Sequence, residues 1–208
     1  DTNKLTNFLV NDFNYESNDN LFNNFISTKI LANVKNINYE SRNVDIYKND
    51  PTSEIFGSIG FLSEVNLEKF DNDTRHLLKP KFLMRLSPGS MRKESGNSRL
   101  TPSSAFKLNR IDNINNYETG ISSTLGFEYR VKRNDMTKFD FSLAQIINEK
   151  ENKKMSDKSS LNEKLSDLVG SSNFIVNENL NLNYDFSIDQ NYNDLNYNEV
   201  GATYDNGT

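Results

Sequence analysis

Leu180-Asn181-Leu182-Asn183-Tyr184-Asp185-Phe186-Ser187-Ile188-Asp189 is the stretch that decides the fold class. Leu180, Leu182, Tyr184, Phe186 and Ile188 occupy every second position, and Asn181, Asn183, Asp185, Ser187 and Asp189 fill the gaps. A period of two puts each set on its own face of a strand, whereas no helix sorts this pattern. The alternation recurs through the chain. Ile55, Gly57, Ile59, Phe61, Val65 and Leu67 oppose Ser58, Gly60, Glu64, Asn66 and Glu68. Leu78, Phe82, Met84 and Leu86 oppose Lys79, Lys81 and Arg85, with Leu83 out of pattern. Ile121, Leu125, Phe127, Tyr129 and Val131 oppose Thr124, Gly126, Glu128 and Arg130. Phe139, Phe141 and Leu143 oppose Asp140 and Ser142. Phe22, Ile26, Ile30, Ala32 and Val34 oppose Asn23, Ser27, Lys29, Asn33 and Lys35. Weaker strands lie near Leu5 to Tyr15 and Leu195 to Tyr204. The chain reads as antiparallel all-β.

Composition narrows the class. The chain has 208 residues, 24 Lys plus Arg against 29 Asp plus Glu, and a net charge of -5. Mean hydropathy is -0.74 and no apolar run approaches the ~18 residues of a spanning helix, which excludes a helical membrane protein. With Cys at 0, disulfides, thiolate metal sites and a cysteine nucleophile are excluded. Asn makes up roughly one residue in six, which reads as codon drift rather than chemistry. Asp1-Thr2-Asn3-Lys4 carries no basic segment leading into an apolar core. A cytoplasmic protein, or a piece of a longer one, is the expectation.

The connections carry the next clue. Short ones are expected near Glu16 to Asn20, Phe70 to Thr74, Asn134 to Thr137 and Asn191 to Asp194. Long ones are expected near Ser41 to Ser53, Pro88 to Asn116 and Lys150 to Ser172. Short and long alternate in chain order, as the two rims of an outer-membrane barrel require and a β-sandwich does not. The strands, roughly 10 to 18 residues, exceed the globular mode of about 5 to 6. The expected fold is an antiparallel transmembrane β-barrel segment of about eight long strands with alternating short turns and long loops. In the Lys150 to Ser172 loop, Leu161, Leu165, Leu168 and Val169 fall at helical spacing, with Ser160 and Glu163 placed as a capping box. That predicts a helical turn, which either covers the barrel mouth or merely orders an exposed loop.

Chemistry-bearing residues are few. Between Arg75 and Arg110 nine cations, Arg75, Lys79, Lys81, Arg85, Arg92, Lys93, Arg99, Lys107 and Arg110, face the single acid Glu94. Lys79, Lys81 and Arg85 share the polar face of one strand, inward in a barrel. They read as a track for phosphate-bearing ligands or as counter-ions to Glu64, Glu68 and Glu128. Nucleic acid is not expected, since the basic residues lack interleaved aromatics and the chain is acidic. His76, the lone histidine, stands beside Arg75 without a nucleophile or ligand partner, so no catalytic site, metal or cofactor is expected. Asn72-Asp73-Thr74 and Asn206-Gly207-Thr208 match the glycosylation pattern, as chance predicts in so Asn-rich a chain. Pro88 and Gly89 read as a turn.

The order of pieces resembles a known family. Leu78-Lys79-Pro80 opening a strand resembles the Leu-Glu-Pro of LptD, the lipopolysaccharide-assembly family of the outer membrane. Ala105-Phe106-Lys107-Leu108-Asn109-Arg110-Ile111 looks like its Phe-x-x-Asn-Arg segment. This leads through Asp112 to the strand Gly120 to Tyr129. Phe139 to Gln145 followed by Ile146 is similar to its Val-x-Val-Gly-Gln-Ile strand. The likeness is clearest from about His76 to Tyr204. Lys79 replaces the family's Glu, the Phe-Ser-Gly-x-Asp-Arg continuation is missing after Arg110, and the family's cysteines have no counterpart. The resemblance implies that residues 1–208 are part of a single outer-membrane β-barrel domain in a larger, non-enzymatic protein of the bacterial outer membrane. It implies that lipopolysaccharide sugar and phosphate pass through the lumen while acyl chains leave sideways into the outer leaflet. An LptE-like plug lipoprotein and an LptA-like periplasmic bridge are the implied partners, with outer-membrane lipid around the wall. On this reading Lys79, Lys81 and Arg85 contact lipopolysaccharide phosphates. The alternative is a complete small eight-stranded porin-like or adhesive barrel.

Overall fold

The computed structural model describes residues 3–17, 26–45, 47–94, 96, 98–134 and 136–205. Ten strands form one antiparallel sheet. They are β1 (Leu5–Glu16), β2 (Ile26–Arg42), β3 (Thr52–Val65), β4 (Leu67–Asp71), β5 (Thr74–Ser87), β6 (Gly120–Arg133), β7 (Met136–Asn148), β8 (Leu168–Ile175), β9 (Leu180–Ile188) and β10 (Leu195–Tyr204). The order across the sheet is β1-β2-β3-β5-β6-β7-β8-β9-β10, a meander, with β4 also paired to β5. β3 and β4 are one strand in register terms, since Glu64 pairs with Lys81 and Leu67 with Leu78. The ladder lapses between them opposite Pro80, which has no N–H to donate. Among the described residues β1 pairs only with β2 and β10 only with β9, so the sheet is not closed on itself.

The count of about eight strands needs correcting. The break at Pro80 divides one strand in two, and β8 lies where a helical turn was expected. Leu168 and Val169 belong to β8, paired to β7 and β9. Ser160 adopts φ 53 after the short 3₁₀ turn Asp157–Ser159, and its Oγ accepts from the Asp167 N–H at 3.1 Å, so it caps no helix. Adding β8 also moves a connection. The true short turn is residues 176–179, and residues 189–194 fall on the same rim as the long loops 43–51, 88–119 and 149–167. There the Asp189 carboxylate accepts the N–H groups of Asn191, Asn193 and Asp194 at 3.2, 2.7 and 2.9 Å. The backbone donors of Asp194, Asn193 and Asn191 hold its pKa below the usual value. Phe22, Asn23, most of the Glu16 to Asn20 connection and Asn206 to Thr208 lie outside the described residues.

Directly opposed residues share a face, and the two faces differ sharply in what they bury. On one, Val34 is 48% exposed, Ile59 52%, Met84 52% and Leu125 53%. On the other, the long loops cover Lys35, Ser41, Ser58, Arg85, Ser122 and Thr124, all buried. The sheet therefore hides its polar face and bares its apolar one, the reverse of a water-soluble protein. Leu83, out of pattern in the alternation, is buried on the loop-covered face. On β2 this face carries Ile26, Ile30, Ala32 and Val34 over residues 26–34, with the buried Thr28 the polar residue among them, and then turns to Asn36, Asn38 and Glu40. Nine residues match the about 9–11 of a membrane-crossing strand. Toward the short-turn rim the rings of His76, Tyr129, Phe139 and Phe174 touch in sequence across four strands, with centroids 6.1, 6.3 and 6.5 Å apart.

Candidate functional site

The loop-covered face has two parts. Toward the short-turn rim it is a band of ion pairs. Lys81 Nζ lies 2.9 Å from Glu128 and 3.3 Å from Glu64, and Lys79 lies 4.0 Å from Glu64. Arg75 meets Glu68 at 2.6 Å and Arg130 meets Asp140 at 2.5 Å. These pairs alternate in sign across β3 to β7. They belong to strands whose polar residues recur at period two, so each register step stacks one charge beside the next. Lys79 is 38% exposed and Lys81 14%. His76, by contrast, faces outward and its Nδ1 sits 2.8 Å from the Tyr129 hydroxyl, in the aromatic row.

Toward the long-loop rim the same face is filled by the segment between β5 and β6. It contains one helical turn, α1 (Pro102–Ala105), with Thr101 as N-cap and Pro102 at the first position. Met91, Leu100, Ala105 and Ile111 pack with Ala144, Ile146 and Val169 of the sheet and with Met155 and Leu161 of the next loop. Tyr117 joins Ile37, Tyr39 and Phe56 in a second cluster. Two glycines of the polar strand faces make room. A Cβ on Gly60 would stand 2.6 Å from Leu108 Cδ2, and one on Gly126 would stand 3.0 Å from Phe106 Cζ and 2.2 Å from the Leu143 carbonyl. Lys81 Nζ lies 4.6 Å from the centre of the Phe106 ring, where the charged band meets the filled part.

A buried charge triad fastens the segment. Glu118 accepts from Arg110 Nε at 2.8 Å and from its Nη2, and Arg85 Nη1 stands 3.7 Å from the same carboxylate. All three side chains are 4% exposed or less. Arg85 also donates to the carbonyls of Leu108 at 2.5 Å and of Glu118. Arg110 Nη2 donates to Ser122 Oγ at 3.1 Å, while its Nη1 has no hydrogen-bond partner. Burial alone pushes the Glu118 pKa up, but the guanidinium groups of Arg110 and Arg85 overcome it and hold the carboxyl below the usual glutamate range. Asn109 Oδ1 takes the Glu118 N–H at 3.1 Å. The Asn109-Arg110 pair singled out in the sequence thus positions Glu118.

Of the three lumen residues expected from the sequence, Lys79 and Lys81 lie together in the charged band. Arg85 lies beyond them under the β5–β6 segment, 1% exposed, with its donors spent on backbone and Glu118. Sequence reasoning missed Glu118, and it missed that Arg110 would reach across to it. It placed Gly60 and Gly126 on polar strand faces but missed what a glycine there signals, that something packs closely against it.

A family model described as LptD: LPS transport system D matches residues 51–208, more than half of the chain. The chain belongs to the LptD family. The match takes in β3 to β10, the charged band from β3 onward and the whole β5–β6 segment. A comparison with curated proteins found no match. Family membership gives the chain a part in handling lipopolysaccharide, and its antiparallel sheet is of the kind that barrels are built from.

Proposed function

We propose that this chain is a section of the wall of a larger outer-membrane β-barrel that moves lipopolysaccharide into the outer leaflet of the bacterial outer membrane. The inverted burial of the sheet carries the reading: exposed Val34, Ile59, Met84 and Leu125 on one face, buried Lys35, Arg85 and Ser122 on the other. In lipid the bare apolar face is the correct outer surface and the strands need their neighbours to satisfy the backbone. The aromatic row from His76 to Phe174 suits the girdle at a membrane interface. Among the described residues β1 and β10 each pair on one side and not with each other, which supports a section of a larger single barrel domain over a complete small barrel.

The role is one of transport and not of catalysis. Sugar and phosphate of the lipid would travel along the ion-paired band, where Lys79 and Lys81 exchange carboxylate partners for phosphate, while acyl chains leave through the wall. Arg85 acts through the segment it fastens. An LptE-like lipoprotein would share the lumen and an LptA-like bridge would deliver the cargo from the periplasm. Photo-cross-linking in the full-length protein tests this. A cross-linking residue at Lys79 is expected to capture lipopolysaccharide, and one at Met84 to capture membrane lipid. Capture of neither, in a protein that purifies without detergent, would overturn the proposal.

A further inference from the structure

We propose that a cavity at the long-loop ends of β5, β6 and β7 is a binding site for a phosphate group carried on a sugar. The cavity holds about 930 Å³, within the about 300–1,000 Å³ of small-molecule sites and far more than a lone ion fills. Its walls are residues 85–91, which run out of β5, residues 118–121, which lead into β6, and residues 148–154 after β7, with Leu161 and Lys164 beside them. Gly89 and Gly120 stand in these walls at φ 108 and 125, and a Cβ added to either would meet nothing within 4 Å. The turns that form the opening thus keep it bare of side chains. Leu86 and Ile121 also line the cavity, and both are exposed on the bare face of the sheet. The cavity therefore borders the surface that meets lipid in the proposed wall, and a phosphate reaches it from a lipid headgroup beside the barrel as well as from solution.

Charge selects the ligand. Five cations line the cavity, Arg85, Lys150, Lys153, Lys154 and Lys164, against three acids, Glu118, Glu149 and Glu151. Two of the cations are engaged: Arg85 with Glu118 and backbone carbonyls, and Lys154, whose Nζ donates to Ser90 Oγ at 2.6 Å. Among the described residues Lys150, Lys153 and Lys164 pair with no carboxylate, although Glu149 and Glu151 flank Lys150 in the chain. The buried side adds to the excess. Arg85, 1% exposed, and Arg110 share the carboxylate of Glu118, so this cluster carries one positive charge that no acid within it matches. Arg110 Nη1 is buried without a hydrogen-bond partner. Buried charge without counter-charge is costly, and an anion seated in the cavity against Arg85 relieves it. The lysine ammonium groups suit phosphate oxygens as point charges, and Met91 and Leu161 give a sugar ring an apolar surface to lie against.

The place of the cavity beside lipid rests on the transport reading above; its binding of a sugar phosphate does not. Full-length protein in detergent micelles is titrated calorimetrically with glucosamine 6-phosphate, glucosamine and inorganic phosphate. Glucosamine 6-phosphate is expected to bind and glucosamine not to. Lys150→Gln, Lys153→Gln and Lys164→Gln together should weaken the binding roughly tenfold or more, as loss of hydrogen bonds to charged groups does. All three lysines are exposed, so their replacement leaves the core intact. Glu149→Gln with Glu151→Gln should tighten it. No binding of the sugar phosphate, binding that the triple variant retains, or inorganic phosphate binding as tightly as the sugar phosphate each overturns the proposal. A photo-cross-linking residue in place of Glu151 separates the sources of the phosphate. Capture of lipopolysaccharide in cells assigns it to the lipid headgroup, and no capture beside a positive titration assigns it to a soluble sugar phosphate. Binding by a protein that takes no part in lipopolysaccharide delivery would defeat the transport reading and leave the site standing; delivery without binding would do the reverse.

Discussion

Replacing Glu118 by Gln removes the carboxylate that, among the described residues, pairs with the two buried guanidinium groups, while keeping the side chain's size. In the native arrangement Glu118 accepts from Arg110 N at 3.3 Å and Nε at 2.8 Å, and stands 3.7 Å from Arg85. Gln retains one acceptor oxygen but turns an NH₂ toward donors that need a partner. Breaking a buried ion pair by neutralising one member costs about 3–5 kcal/mol, because the remaining charge is stranded. At 1.36 kcal/mol per factor of ten, that is roughly 10²- to 10⁴-fold in the equilibrium that seats the segment. The readout is hydrogen exchange of the full-length protein in lipid. The amides of Met91, Arg110, Tyr117 and Glu118 donate to side chains within or beside the segment and not to a strand ladder. Their protection should fall by that factor, while the ladder amides of β5 and β6 keep theirs. Substituting Arg85, Arg110 and Glu118 together by Met should recover much of the loss, since apolar replacement of a whole buried charge cluster is often close to neutral, whereas leaving Arg85 in place would strand its charge. Protection of those four amides within about threefold of the unmodified protein would refute the triad as the fastening.

The pKa of Glu118 adds a pH test. Its folded value lies below that of the unfolded chain, so its contribution is complete above the ordinary glutamate value of about 4.3 and is lost only as pH falls below it. Exchange protection of the segment, corrected for intrinsic rates, should be level from neutral pH down to about 5 and drop below about 4. Leu125→Arg places a charge on the bare face of β6, at a cost of about 2–4 kcal/mol if that face lies at the bilayer midplane. Refolding equilibria into lipid vesicles measure it, and a change near zero would place the face in water. Gly126→Ala meets the Leu143 carbonyl, which cannot move without the strand. Overpacking of this kind costs about 1–3 kcal/mol, read as a lower denaturation midpoint. Lys79→Gln with Lys81→Gln should weaken lipopolysaccharide delivery while leaving heat-resistant folded protein in the outer membrane at the normal level. Unchanged delivery removes the band as a phosphate track.

The parts of this molecule that the sequence discloses are those in which one residue's environment depends on its own strand. Leu180 to Ile188 alternates because one face meets a uniform apolar medium and the other a polar one, so period two survives in the letters. β8 does not disclose itself because its cover comes from elsewhere. Gly170 lies on the bare face, and the Phe186 ring of β9 lies over it, so close that an added Cβ would stand 2.1 Å from Phe186 Cζ. The strand thus borrows its apolar surface from a neighbour, and Leu161, Leu165, Leu168 and Val169 were left to suggest a helix. The omission then reversed the rim assigned to residues 189–194, because each strand missed flips the parity of every later connection.

The candidate site divides along the same line. Lys79, Lys81, Glu64 and Glu128 lie at matching positions on paired strands, so their opposition is legible once the register is known. The β5–β6 segment has no period at all: Met91, Leu100, Ala105, Phe106, Leu108, Ile111 and Tyr117 are spaced by the shape of the surface they fill. Its complement is written 48 residues before Leu108, in the missing side chain of Gly60, and nearer at hand in Gly126, and its fastening in Arg85 and Glu118, which read from sequence as one basic track and one unremarked acid. Charge on a strand's polar face was expected to meet cargo. Arg85 shows that the same charge, covered by a returning loop, serves to hold that loop in place, whereas Lys79 and Lys81 stay outside it with Glu64 and Glu128 as their partners.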